Sequence, residues 1–178
     1  YCNECGHTRP IGSAPIVAVG SATAKIGDTV TVDVFIEKNT GIISMKVLAD
    51  YDASALELIG AEGVDFDGAE FGALDGDVFV INWIDALNPN NTANGVLARL
   101  TFRVKDDAAV GNYTITLQYN PNDVFDADLE NVYFRTVDGN INVINYTSGD
   151  VNDDGVINNK DLALLMQYLN LWDVTIVE

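Results

Sequence analysis

The chain has 178 residues, room for one sizeable domain and a small appendage. Nine Lys and Arg stand against 27 Asp and Glu, a formal charge of −18, which argues against nucleic acid or an anionic membrane as partner, since both need a basic face. The acidity suits hard cations, which take oxygen ligands, and suits an acidic extracellular surface equally well.

The chain begins at Tyr1 without Met. No apolar run approaches the ~18 residues of a membrane span, so no membrane insertion is expected. No signal peptide is visible, and the simplest expectation is a fragment whose targeting segment lies upstream. Cys2 and Cys5 sit in "YCNECGH" with His7 close behind. That spacing suits half a zinc knuckle or a short disulfide, and no second ligand pair follows. Residues 1–14 read as the tail of an upstream module and a linker, the linker signal being the Pro, Gly and Ser of "RPIGSAP".

From residue 15 to 145 the hydropathy pattern has period two. "TVTVDVFIE" aligns Val30, Val32, Val34 and Ile36, and "GIISMKVLADY" aligns Ile43, Met45, Val47, Ala49 and Tyr51. "DVFVINWID" aligns Phe79, Ile81 and Trp83, "GVLARLTFRVK" aligns Val96 to Val104, and "NYTITLQY" aligns Tyr113 to Tyr119. Alternation of this kind marks strands half buried against a core. Turn clusters such as "KNTG", "LDGD", "NPNNTANG" and "VDGN" separate them. The pattern predicts an all-β fold, an antiparallel jelly-roll sandwich of about nine strands. If those sets point inward, Leu48, Val80, Asn82 and Leu97 point outward, giving apolar groups on a charged solvent face, a candidate interaction patch.

At Thr147 the pattern changes, and residues 146–178 are expected to form a separate, truncated unit. Leu162, Leu165, Met166 and Leu169 follow the spacing of one helix face. A helix of about ten residues is marginal alone, so the stripe is expected to pack on the sandwich or on a second repeat. Before it runs "DVNDDGVINNKD". With Asp150 at position 1 of a calcium loop, Asn152 falls at 3, Asp154 at 5, Gly155 at 6, Val156 at 7, Asn158 at 9 and Asp161 at 12. Oxygens at alternate positions turn inward, the glycine permits the bend, and Val156 offers its carbonyl, so Ca2+ is the expected cofactor. Ile157, at position 8, would face the core.

Catalytic motifs are scarce. His7 is the sole histidine and lies in the linker region, which rules out a Ser-His-Asp or Cys-His arrangement inside the sandwich. No phosphate loop or HExxH occurs. The chain reads as a non-enzyme.

Two resemblances follow from these residues. "SGDVNDDGVINNKDLALLMQYLN" (148–170) resembles one repeat of a dockerin, whose loop ends in Asp. "VLADYDASALELIGAEG" (47–63), "GVLARLTFRVKDDAAVGNYTITL" (95–117) and "VDGNINVI" (137–144) are similar to stretches of a cohesin, the receptor that grips dockerins in cellulosomes. The resemblance implies a non-catalytic, calcium-dependent protein-interaction scaffold, secreted or on the cell surface of a polysaccharide degrader. Its partner would be a dockerin or cohesin module, bound on the flat sheet face. Dockerin recognition positions 10 and 11, often small hydroxylated residues, are Asn159 and Lys160 here, and a dockerin carries two repeats where this chain has one. Two other readings fit the residues: a carbohydrate-binding sandwich module, and a self-associating subunit of a head-to-tail fibre.

Overall fold

Strands form along the period-two runs. The structure, a computed structural model, describes residues 14–85, 88 and 92–170. Cys2, Cys5, His7 and the closing "LWDVTIVE" lie outside the described residues, as does most of the proposed linker. Twelve strands follow in order: β1 (Ile16–Val19), β2 (Ala22–Lys25), β3 (Thr29–Glu37), β4 (Ile42–Asp50), β5 (Leu56–Gly63), β6 (Ala69–Phe71), β7 (Val78–Ile84), β8 (Gly95–Val104), β9 (Gly111–Tyr119), β10 (Phe125–Asp126), β11 (Arg135–Val137) and β12 (Gly139–Ile144). The count exceeds the expected nine because β6, β10 and β11 are pieces of two or three residues, too short to leave an alternating signature.

The strands make two sheets. One runs β11-β1-β3-β8-β5, the other β2-β12-β9-β4-β7-β6, with β10 beside the first half of β4. β1 pairs with β11 in parallel, while β1 with β3, β3 with β8, β8 with β5, β12 with β9, β9 with β4, β4 with β7 and β7 with β6 pair antiparallel. The first strand of the sandwich is thereby held between β3 and a strand from near its end. Between the sheets lies a core that includes Trp83, Phe79, Phe102, Leu97, Leu100, Ile115 and Ile141, each at most 1% exposed. Trp83 donates its indole N–H to the carbonyl of Asp67 at 2.9 Å and meets Phe66 edge-on at 5.1 Å. Where β12 begins, a Cβ on Gly139 would overlap the carbonyl oxygens of Gly20 and Val19, so the close approach there requires glycine.

Two expected facings are corrected. Leu97, expected on the outer face, is 0% exposed. Val34 pairs with Ala98 and Phe35 with Val96, so β8 spends two residues where β3 spends one, and Leu97 is the extra residue of a β-bulge. A bulge breaks the alternation of faces, and Leu97 and Ala98 are both buried in succession. Likewise Ile42, not Ile43, is the fully buried residue at the start of β4. Phe125 pairs with Ser44 and Asp126 with Ile42, leaving Ile43 as the extra residue. From Met45 onward β4 alternates as expected, with Met45, Val47 and Ala49 buried.

A second compact unit begins at Ile144. It contains the Asp-rich loop and one helix, α1 (Asn159–Leu169). Asn158 caps the helix, accepting the amide of Lys160 at 2.8 Å, while the carboxylate of Asp161 accepts the amide of Asn158 at 2.7 Å, the reciprocal bonds of a capping box. Within this unit the stripe residues Leu162, Leu165, Met166 and Leu169 are 56%, 37%, 54% and 68% exposed. Ile157, expected inward, is 61% exposed as well.

Candidate functional site

The outer face of the β9-β4-β7-β6 sheet is built in cross-strand rows. Because the inner face takes Met45, Val47, Ala49, Phe79, Ile81 and Trp83, the even-numbered residues of β4 and β7 project outward. Thr116, Asp50 and Val78 form one row, and Gln118, Leu48 and Val80 the next. Lys46, Asn82 and Glu70 follow, then Phe125, Ser44 and Ile84. Leu48, Val80 and Asn82, three of the expected partner-binding residues, therefore share one face and are each half-buried. Leu97 belongs to the other sheet and to the core, so it leaves the set.

Pattern reading missed two apolar members of this face. Val78 is 43% exposed and Ile84 is 60% exposed, at opposite ends of β7. The signal was present in "VFVINWI", where Val78, Val80, Asn82 and Ile84 share the phase opposite to Phe79, Ile81 and Trp83. Lys46, Asp50 and Glu70 supply charge beside this apolar strip, and the Gln118 amide lies 3.4 Å from the Asp50 carboxylate. An apolar strip bordered by charge is the composition of a protein-interaction patch. On the other sheet the outer face is an ion-pair surface: Arg99 on β8 donates twice to Asp33 on β3, at 2.8 and 3.0 Å, and pairs in register with Glu62 on β5. The Asp33 carboxylate holds the Arg99 guanidinium above its ordinary pKa.

In the second unit the loop of residues 150–161 closes on its own backbone. Asp150, 5% exposed, accepts the amide of Asp154 at 3.1 Å on one carboxylate oxygen and that of Gly155 at 2.8 Å on the other. The Asn152 side-chain oxygen accepts the amide of Asp154, and Asp154 accepts that of Val156. Asp161, 2% exposed, accepts the amides of Val151 at 2.9 Å and Asn152 at 3.3 Å as well as that of Asn158. These backbone bonds, the one from Asn158 foremost, hold its carboxyl below the ordinary aspartate pKa. Gly155 sits at φ +80°, the left-handed conformation that the bend needs. The Val156 carbonyl accepts the side-chain amide of Asn158 at 2.8 Å. Asn159 and Lys160 are exposed at the start of α1, and the Lys160 ammonium lies 3.9 Å from Asp154. Among the described residues no group of three or more His, Cys, Asp or Glu side chains is gathered in a metal-holding arrangement. No helix among the described residues is long and apolar enough to cross a membrane.

Comparison with known proteins bears on the sandwich. The curated Cellulose-binding protein A of Clostridium cellulovorans is 28% identical over 132 residues, which is 70% of this chain and 7% of that protein. The chain thus spans a small fraction of the curated relative it matches. Among solved structures, the seventh ScaB type I cohesin of Pseudobacteroides cellulosolvens superposes with a TM-score of 0.65 at 22% identity, covering 75% of this chain and 94% of its own. A type I cohesin–dockerin complex of Clostridium thermocellum contains a chain with a TM-score of 0.66 at 17% identity, covering 74% and 99%. A non-cellulosomal cohesin of the archaeon Archaeoglobus fulgidus gives 0.63 at 22%, covering 74% and 91%. At these identities the superpositions speak to the fold. The family model described as the cohesin domain matches residues 16–143, which span the two sheets. The chain belongs to the cohesin family, whose domains are non-catalytic protein-interaction modules.

Proposed function

We propose that the sandwich grips a dockerin module through the outer face of the β9-β4-β7-β6 sheet, and that the chain is part of a secreted or cell-surface scaffold that assembles polysaccharide-degrading complexes. The observation that carries this reading is the apolar strip of Leu48, Val78, Val80 and Ile84 set among charged residues on one sheet face. Strand–strand pairing makes that face preformed, so binding orders little and loses little affinity to entropy. The dockerin in the Clostridium thermocellum complex supports the choice of partner class.

In the second unit, residues 148–170 act as a dockerin-like repeat and the loop binds calcium. Asp150, Asn152, Asp154, Asp161 and the Val156 carbonyl offer oxygen atoms only, the donor type that hard cations select. Two of the carboxylates, Asp150 and Asp161, are almost fully buried and already held by backbone amides of the loop, so the support for calcium is the oxygen donor set and its spacing. Calcium would neutralise that charge and hold loop and helix together, with Asn159 and Lys160 exposed beside it for a partner. The burial of Trp83 against Phe66 leaves its indole unable to serve as a sugar platform, which disfavours a glycan-binding reading of that residue.

Isothermal titration of the chain with a panel of purified dockerins, in millimolar calcium, tests the proposal. Saturable binding to a panel member that is lost on mutating Leu48 and Val80 supports it. Binding that ignores both substitutions overturns the assignment of the face.

A further inference from the structure

The turn that follows β10 holds a leucine where neither backbone nor core asks for one. Leu129 has φ +59°, a left-handed conformation that strains a leucine and that glycine or asparagine adopts more readily. Its side chain is 73% exposed, more than any other large apolar side chain among the described residues. The turn is well bonded all the same. One carboxylate oxygen of Asp126 accepts the amides of Asp128 at 3.1 Å and Glu130 at 3.0 Å, and the Asp126 carbonyl accepts that of Leu129 at 3.0 Å. A strained residue held in place by its surroundings points to a role outside the fold.

Register places the turn beside the sheet face described above. Phe125 stands opposite Ser44 and Asp126 opposite Ile42, so residues 127–129 lie past the start of β4. That is the end of the sheet where Ile84 closes β7. The row of Phe125, Ser44 and Ile84 is the last on the outer face, and the turn continues beyond it.

We infer that Leu129 is a specificity-determining contact for the dockerin seated on this face, and that it meets a dockerin surface in which an apolar residue is flanked by Lys or Arg. The inference rests on the proposed binding of a dockerin to the face. Charge selects the chemistry. Residues 121–134 contain Asp123, Asp126, Asp128 and Glu130 and no Lys or Arg. Asp128 and Glu130, on either side of Leu129, are exposed and have no ion-pair partner among the described residues. An apolar group set between two carboxylates accepts a cationic neighbour and repels an acidic one. Because the turn is already fixed, the contact costs little ordering.

Titration calorimetry of the full chain tests it, against purified dockerins carrying either Lys and Arg or Asp and Glu beside their apolar surface residues. The basic members should bind more tightly. Leu129→Asn should weaken their binding about fivefold or more, with the thermal midpoint held or raised because asparagine tolerates the left-handed backbone. Asp128→Asn with Glu130→Gln should weaken the same members about threefold and flatten the salt dependence of their affinity. Leu48→Ala with Val80→Ala separates this contact from the reading beneath it. Binding lost in that variant but unchanged in Leu129→Asn overturns the contact alone. Binding that ignores both variants, or no binding by any dockerin, overturns face and contact together. A lowered thermal midpoint in Leu129→Asn with affinity unchanged would assign the leucine to the fold and overturn the inference as well.

Discussion

Leu48 on β4 stands directly opposite Val80 on β7, and both side chains project from the outer face of the sheet. Gln118 continues the row on β9, while Val78 and Ile84 extend the apolar surface toward the ends of β7. If this pair lies near the centre of the partner's footprint, Leu48→Ala and Val80→Ala should each weaken dockerin binding by about tenfold, ~1.4 kcal/mol. Folding stability should change by no more than about 1 kcal/mol, because both side chains are only half-buried. Titration calorimetry paired with chemical denaturation separates the two effects.

Leu97 should behave in the opposite way. Its side chain is fully buried at the bulge, so Leu97→Ala should cost about 2–5 kcal/mol of stability. Dockerin affinity of the protein that remains folded should be unchanged. A Leu97→Ala protein of normal stability that loses affinity would return this residue to the binding face.

Those two residues show where the sequence was readable. Val80 lies in a strand without a bulge, where the single polar residue Asn82 sets the phase against Trp83, so its facing follows from period two. Leu97 lies in the apolar run Val96-Leu97-Ala98, and Ile43 follows the equally apolar Ile42. Consecutive apolar residues carry no phase, and in both places a bulge, set by pairing with a distant strand, decides which side chain turns inward. The parallel pairing of β1 with β11 was invisible for a related reason, since register between segments so far apart is a tertiary property. In the second unit the helix followed from its apolar spacing, while the cap, whose signal is local, was missed by pattern reading. The Asn158 cap and the Asp161 capping-box bond arise within four residues. What covers the helix stripe depends on other surfaces, and periodicity had left that open.

For the loop, calcium should sharpen and shift amide resonances of residues 149–170 in wild-type protein, and Asp150→Ala should abolish the response. The thermal transition of the sandwich should be the same in both proteins, because the loop lies in a separate compact unit. An unresponsive wild-type protein in millimolar calcium would contradict the metal reading.

Acid should loosen this unit in a defined direction. The Asp161 pKa is lowered from the ordinary 3.8 by backbone hydrogen bonds, first from Asn158 and then from Asn152 and Val151. A carboxyl whose folded-state pKa lies below its unfolded one contributes stability above the unfolded value and loses it as pH falls through the folded value. In chelator, helical circular dichroism from α1 should therefore persist down to about pH 4 and decline below it. Asp161→Asn should reduce that acid-dependent decline. An equal acid dependence in wild type and variant would show that Asp161 does not supply it.

Amide hydrogen exchange of the chain, alone and saturated with a dockerin that it binds, tests the central claim most directly. The account predicts new protection at exchangeable amides of residues 44–50 and 78–84, on the strands that carry Leu48, Val78, Val80 and Ile84. Protection confined to the Asp33–Arg99 face of the other sheet, with 44–50 and 78–84 unchanged, would contradict it.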